Sequence, residues 1–216
     1  MNLPLEWNSG ATVHPTPAEA SIPLEFSDAE QSRYILGFWI FLSSDIVLFA
    51  CLFAAFAVYR NMGASPVAPG ALVKLGPVMV ETLLLLTSSF TCSLALHEMR
   101  RGRKASLLAL LGLTLVLGMG FVFMEIRDFV GLVAAGYTWN RGSFLSAFYT
   151  LVGTHGAHVS FGILWGLALL IQLGWRGVTK VTARKLYTFA LYWHFLDLVW
   201  IFLFTFVFLT SKAMGA

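Results

Sequence analysis

Five long apolar runs, separated by short polar connections, dominate the chain: about 34–59, 77–96, 106–126, 144–173 and 186–209. Apolar residues continue around every side of each run, so the pattern predicts helices bathed in apolar solvent and not one-sided surface helices. Each run is long enough to cross about 30 Å of hydrocarbon at a rise of about 1.5 Å per residue. Lipid offers no partner to free backbone groups, so a spanning segment must be a helix or a strand of a closed barrel. Barrel strands would alternate polar and apolar residues over about ten positions, and these runs do not. The expected fold class is therefore all-α, a polytopic membrane bundle of five transmembrane helices occupying 34–216 without an internal repeat or linker. The fourth run exceeds the bilayer and is expected to tilt or to extend beyond it. Pro77 falls in the first turn of the second span, where its missing N–H matters least.

Composition strengthens this reading. Apolar residues make up 58% of the chain and charged residues 12%, and mean hydropathy is +0.77. Soluble domains average roughly 45–50% apolar and about 25% charged. Residues 1–33 are different: they are polar, contain Pro4, Pro15, Pro17 and Pro23, and set five acids against Arg33. Lacking a basic start and an apolar core, this stretch is not a signal peptide. It reads as a cytoplasmic N-terminal arm, flexible or bound to a partner.

The net charge of +3 is small, and its placement suits membrane orientation better than nucleic-acid binding. Arg100, Arg101, Arg103 and Lys104 lie between spans two and three. Arg176, Lys180, Arg184 and Lys185 lie between spans four and five, on the same side as Arg33. The opposite side holds Arg60, Lys74, Arg127, Arg141 and Lys212. The positive-inside rule then places the N-terminus in the cytoplasm and the C-terminus in the periplasm. Cys51 and Cys92 stand alone in separate runs and read as small apolar filler.

Ionisable groups inside spans are candidate functional residues, because the bilayer makes them costly unless paired. Asp45 lies about 16 Å into span one, near the midplane, and is expected to be protonated, hydrogen-bonded or paired. Glu81 sits one turn into span two. Glu125 and Asp128, three apart at the outer end of span three with Arg127 between them, read as a solvated or interfacial acid pair. His155 and His158 share a face of span four, and His194 and Asp197 share a face of span five. Counted from opposite ends, His158 and His194 fall at similar depth. His194 with His158 or His155 could ligate a haem as in a b-type membrane cytochrome, or the histidines could join Asp197 in an interhelical hydrogen-bonded network. A third reading, a proton-coupled transporter, would use Asp45, Glu81 and His194 as a relay, but its usual Pro or Gly breaks and repeat halves are missing. Gly153, Gly156 and Gly162 fit close helix approach.

Five stretches in order carry a family resemblance. They are Gly37–Asp45 with Leu48-Phe49; Val80-Glu81-Thr82 through Leu86, with Ser88-Ser89; Met124–Phe129; Gly153–Val159; and Tyr192–Trp200. Together they resemble subunit III of the haem–copper respiratory oxidases along all five spans. The mitochondrial-type subunit has seven helices, and this chain lacks the first two. Its length, with Ser44-Asp45 and Glu81, most resembles the subunit III of cytochrome bo-type ubiquinol oxidases. Cytochrome c oxidase relatives usually carry Glu after the Ser, one methylene longer than Asp45.

The resemblance implies a non-catalytic subunit that itself holds no haem, copper, other metal or quinone. Those haems and the copper would lie in partner subunit I, which reduces oxygen and pumps protons. It further implies packing on subunit I, contact with subunit II and a small subunit IV, bound phospholipid, no nucleic-acid partner, and residence in a bacterial inner membrane. Asp45 matches the family's reactive intramembrane carboxyl.

Overall fold

The computed structural model describes residues 29–61 and 75–209. Most of the polar arm, the connection carrying Lys74, and the C-terminal stretch with Lys212 and Ala216 lie outside the described residues. Five helices follow in order: α1 (Ala29–Asn61), α2 (Leu75–Arg100), α3 (Lys104–Ala134), α4 (Ser143–Arg176) and α5 (Lys180–Leu203). All five are long and apolar enough to cross a membrane, α5 with its continuation to Leu209, and no strand occurs among the described residues. Four of the ten ends overrun the apolar runs by a turn or more. Hydropathy marks the edge of the hydrocarbon, whereas the helical backbone continues into the interfacial layer. The arm assigned to 1–33 thus ends in helix from Ala29, and α4, at 34 residues, is about 50 Å long.

The buried residues obey one rule. On α2 they include Val78, Glu81, Leu85, Ser88, Cys92, Ala95 and Met99, spaced alternately three and four apart. The same alternation runs through Leu107, Leu111, Thr114, Gly118, Phe121 and Glu125 on α3. It recurs in Phe148, Val152, His155, Val159, Gly162, Gly166, Leu169 and Leu173 on α4, and in Leu186, Phe189, Trp193, Leu196, Trp200 and Leu203 on α5. On α1 it thins to Ile35, Leu42, Asp45, Phe49 and Phe56. Alternating three- and four-residue spacing is the pattern by which packed helices mesh along a seam. Glu81, Glu125, His155 and Asp45 stand on these seams, in positions otherwise filled by apolar side chains.

Helices α2 and α3 form the closest pair, α5 packs on α4, α2 and α1, and α1 also lies along α4. Two tight turns, both with glycine at φ +70°, close one end of the bundle: Gly102 after α2 and Gly177 after α4. Lys104 Nζ donates to Gly174 O at 2.9 Å and ties these turns together. A reciprocal Thr179–Thr182 cap starts α5. At the other end α5 continues as a π-helical segment, Phe204–Leu209, where Arg60 from α1 donates to Phe206 O at 3.5 Å.

The centre is aromatic and depends on missing side chains. A Cβ on Gly118 would lie 2.8 Å from the Trp193 ring, one on Gly166 2.6 Å from Leu115 and 2.9 Å from Phe189, and one on Gly162 3.1 Å from Trp193. Gly162 therefore serves the close approach expected of it. Gly153 does not, since its nearest neighbour would be 3.8 Å away.

Candidate functional site

The eight intramembrane polar residues do not form one network. They separate into four clusters, each at a different helix interface.

The first joins α1, α4 and α5. Asp45 is buried and its Oδ2 stands 3.9 Å from His158 Nε2. His158 Nδ1 lies 2.7 Å from Thr154 O and donates to it, since a carbonyl only accepts. The neutral ring then has no hydrogen at Nε2. Attraction to Asp45 thus needs one proton more than a neutral ring and a carboxylate carry, on either partner. Tyr192 Oη donates to His158 O at 3.1 Å from α5, and the Phe49 ring packs 5.2 Å from the His158 ring. Asp45 therefore pairs with another span, as its depth demands.

The second is His155, joined to the first through the Phe49 ring, 6.3 Å from its own. It is 0% exposed, stacks on Trp200 at 5.2 Å and meets Phe121 edge-on at 5.9 Å. Neither ring nitrogen has a hydrogen-bond partner among the described residues.

The third lies between α2 and α5. Ser89 Oγ is 2.6 Å from His194 Nδ1, and Ser93 Oγ is 3.1 Å from Nε2. Ser89 also stands beside the Asp197 carboxyl, whose Oδ1 is buried without a partner among the described residues. His194 and Asp197 thus share a neighbourhood, as expected, but His158 is not in it. His158 turns to α1 and His194 to α2, because the matching depth of two residues fixes nothing about the side of the helix each occupies. Both His194 ring nitrogens are engaged by hydroxyls, and the two histidines do not present themselves to one ligand. Among the described residues no three His, Cys, Asp or Glu side chains converge with metal-binding spacing.

The fourth corrects the expected pairing of Glu125 with Asp128. Glu125 is buried one turn deeper and faces Glu81 of α2. Gly156 makes room for it, since a Cβ there would lie 2.6 Å from a Glu125 oxygen. Asp128 stays half-exposed with Arg127 Nη2 3.4 Å away. Their three-residue spacing puts them on one stripe, but only one end of that stripe reaches the seam. The relay Asp45, Glu81 and His194 is likewise dispersed over three interfaces.

A hydroxyl ladder on α2 escaped the sequence reading as a structural device. Trp193 Nε1 donates to Ser88 Oγ at 3.0 Å and Trp200 Nε1 to Thr82 Oγ1 at 3.1 Å, while Thr91 meets Thr114 of α3 at 2.8 Å. The signal was present: two tryptophans seven apart on α5 oppose hydroxyls six apart on α2, in antiparallel order. Each indole N–H buried in lipid needs such an acceptor.

Five long apolar helices meeting at seams that carry a few buried polar groups define a polytopic membrane protein. Comparison with known proteins is specific. The family described as cytochrome c oxidase subunit III matches residues 16–212. Quinol oxidase subunit 3 of Bacillus spizizenii is 47% identical over 196 residues, 91% of this chain and 96% of the relative. Cytochrome bo(3) ubiquinol oxidase subunit 3 of Pseudomonas aeruginosa is 45% identical, covering 84% of this chain and 85% of its own. Cytochrome c oxidase subunit 3 of Bacillus subtilis is 44% identical over 83% of this chain and 87% of its own. The chain belongs to the cytochrome c oxidase subunit III family, the family its five stretches resemble. It is a multi-pass membrane subunit of a terminal oxidase.

Proposed function

We propose that this chain is the non-catalytic subunit III of a proton-translocating ubiquinol oxidase of the cytochrome bo type, in a bacterial inner membrane. The observation that carries the donor assignment is the match along 91% of the chain to a relative named as a quinol oxidase subunit. A cytochrome c-fed oxidase is the second reading, supported by 44% identity to a cytochrome c oxidase subunit 3. In this proposal the chain packs on subunit I, which holds the haems and copper, contacts subunit II and a small subunit IV, and holds phospholipid in a cleft between its own helix groups. Its own contribution is support: a rigid bundle, pinned internally by Asp45–His158 and by the tryptophan–hydroxyl pairs, that holds subunit I in its active arrangement. The test is affinity purification through this chain from gently solubilised membranes. A larger subunit should accompany it, and the preparation should consume oxygen with ubiquinol as donor. Uptake driven by reduced cytochrome c instead would favour the second reading.

The same proposal orients the chain with the basic turns at Gly102 and Gly177 in the cytoplasm and the C-terminus in the periplasm. Cysteine labelling tests this after Cys51 and Cys92 are replaced, Cys51 being exposed and Cys92 buried. A cysteine at position 103 should resist an impermeant reagent in intact spheroplasts and react in inverted vesicles. Labelling in intact spheroplasts would reverse the orientation.

A further inference from the structure

Glu81 and Glu125 do more than interrupt two apolar seams, because they open onto a space. A cavity of about 450 Å³ lies among α2, α3, α4 and the end of α5, at the end of the bundle opposite the basic turns. Pro77 of the first turn of α2 borders it, as do Tyr137 beyond the end of α3, Phe148 near the start of α4 and Phe208 of the π-helical segment. All four lie near span ends, so the cavity sits at the depth of the membrane interface, where headgroups and water meet the protein. Glu81 is 3% exposed and Glu125 6%. Oε1 of each is buried with no hydrogen-bond partner among the described residues. The one basic side chain lining the cavity, Arg127, is itself exposed and lies against Asp128. With Asp128, which also lines the cavity, three carboxyl groups thus share one basic side chain, and the Oε1 atoms of Glu81 and Glu125 are left without a hydrogen bond among the described residues.

Buried acids without partners are unfavourable, and a cation in the cavity would supply the missing contacts. The walls select among cations. Phe129, Phe148, Trp200 and Phe208 offer aromatic surface, which favours an organic ammonium. For a metal ion, by contrast, no three acidic, histidine or cysteine side chains converge at ligand spacing among the described residues. We propose that the Glu81–Glu125 cavity binds an alkylammonium group, a primary amine carried by a lipid headgroup or by a small soluble amine, between the two carboxyls.

The test uses the oxidase complex purified through this chain, in wild-type form and with Glu81→Gln and Glu125→Gln together. In the lipid arm, membranes containing phosphatidylethanolamine and phosphatidylglycerol are solubilised and the lipid retained by each complex is measured by mass spectrometry. A lipid ligand predicts phosphatidylethanolamine retained by the wild type and about tenfold less by the variant, the loss of a charge-assisted contact, with phosphatidylglycerol unchanged. In the soluble arm, complexes in nanodiscs of phosphatidylglycerol alone are titrated with ethanolamine. A soluble ligand predicts a raised thermal midpoint in the wild type and not in the variant. The wild type also decides alone, should the double variant fail to assemble. In nanodiscs it should be stabilised by ethanolamine, or by added phosphatidylethanolamine, and not by the N-acetylated counterpart of either, which has lost the cation. Indifference to the amine in both arms would overturn the proposal. So would a carbodiimide cross-link joining Glu81 or Glu125 to a lysine of another subunit, which would show the site filled by protein.

Discussion

Gly118→Leu is expected to stop the five helices from closing around their centre. The position has no side chain because the Trp193 ring occupies the space, and even a Cβ would stand 2.8 Å from it. Trp193 cannot retreat easily. Gly162 presses on its other side, Phe189 lies 5.5 Å from it, and its Nε1 is fixed to Ser88. Overpacking of this kind typically costs about 1–3 kcal/mol, and here the neighbours have little freedom to yield. The converse change, Trp193→Ala, empties the space the ring filled, at about 3–5 kcal/mol, while Ser88 keeps its bond to Leu85 O. Thermal midpoints of the purified complex would measure both. Combining the two should recover part of the loss, since the added leucine fills the vacated space. A Gly118→Leu complex as stable as the wild type would mean that this packing is wrong.

Asp45 is expected to separate shape from charge. Asp45→Asn keeps the shape and a polar group opposite His158 Nε2 while removing the charge, so assembly and quinol-driven oxygen uptake should stay near wild type. Asp45→Leu leaves His158 unsatisfied at the meeting of α1, α4 and α5, and should loosen the subunit by about 1–2 kcal/mol. Loss of this chain during detergent washing of the complex would be the readout. A well-assembled Asn variant with markedly slowed oxygen uptake would contradict the supporting role and make Asp45 a proton carrier instead.

The spans were legible because lipid imposes a single demand, about 20 apolar residues in a helix, that shows directly in hydropathy. The alternating three-and-four spacing was equally present in the letters, but apolar residues fill the lipid-facing positions too, so nothing in their chemistry distinguishes the seam. Glu81, Glu125 and His155 mark it, since polar side chains in a span turn away from lipid. What the letters could not supply was which helix each would meet. His158 and His194 share a depth but not an interface, and Glu125 and Asp128 share a stripe but not an environment. In the second case Glu125 packs against Gly156, where a Cβ would stand 2.6 Å from its carboxyl, a contact between α3 and α4 that spacing along either helix does not encode.

The central claim is that this chain supports a redox enzyme without holding a redox centre. A visible spectrum tests it most directly, recorded on the complex purified through the chain and on the chain expressed and purified alone. The complex should show a Soret band that accompanies the larger subunit, and the isolated chain none. Haem bound in stoichiometric amount to the isolated chain would contradict the account and make His155, His158 or His194 an axial ligand after all.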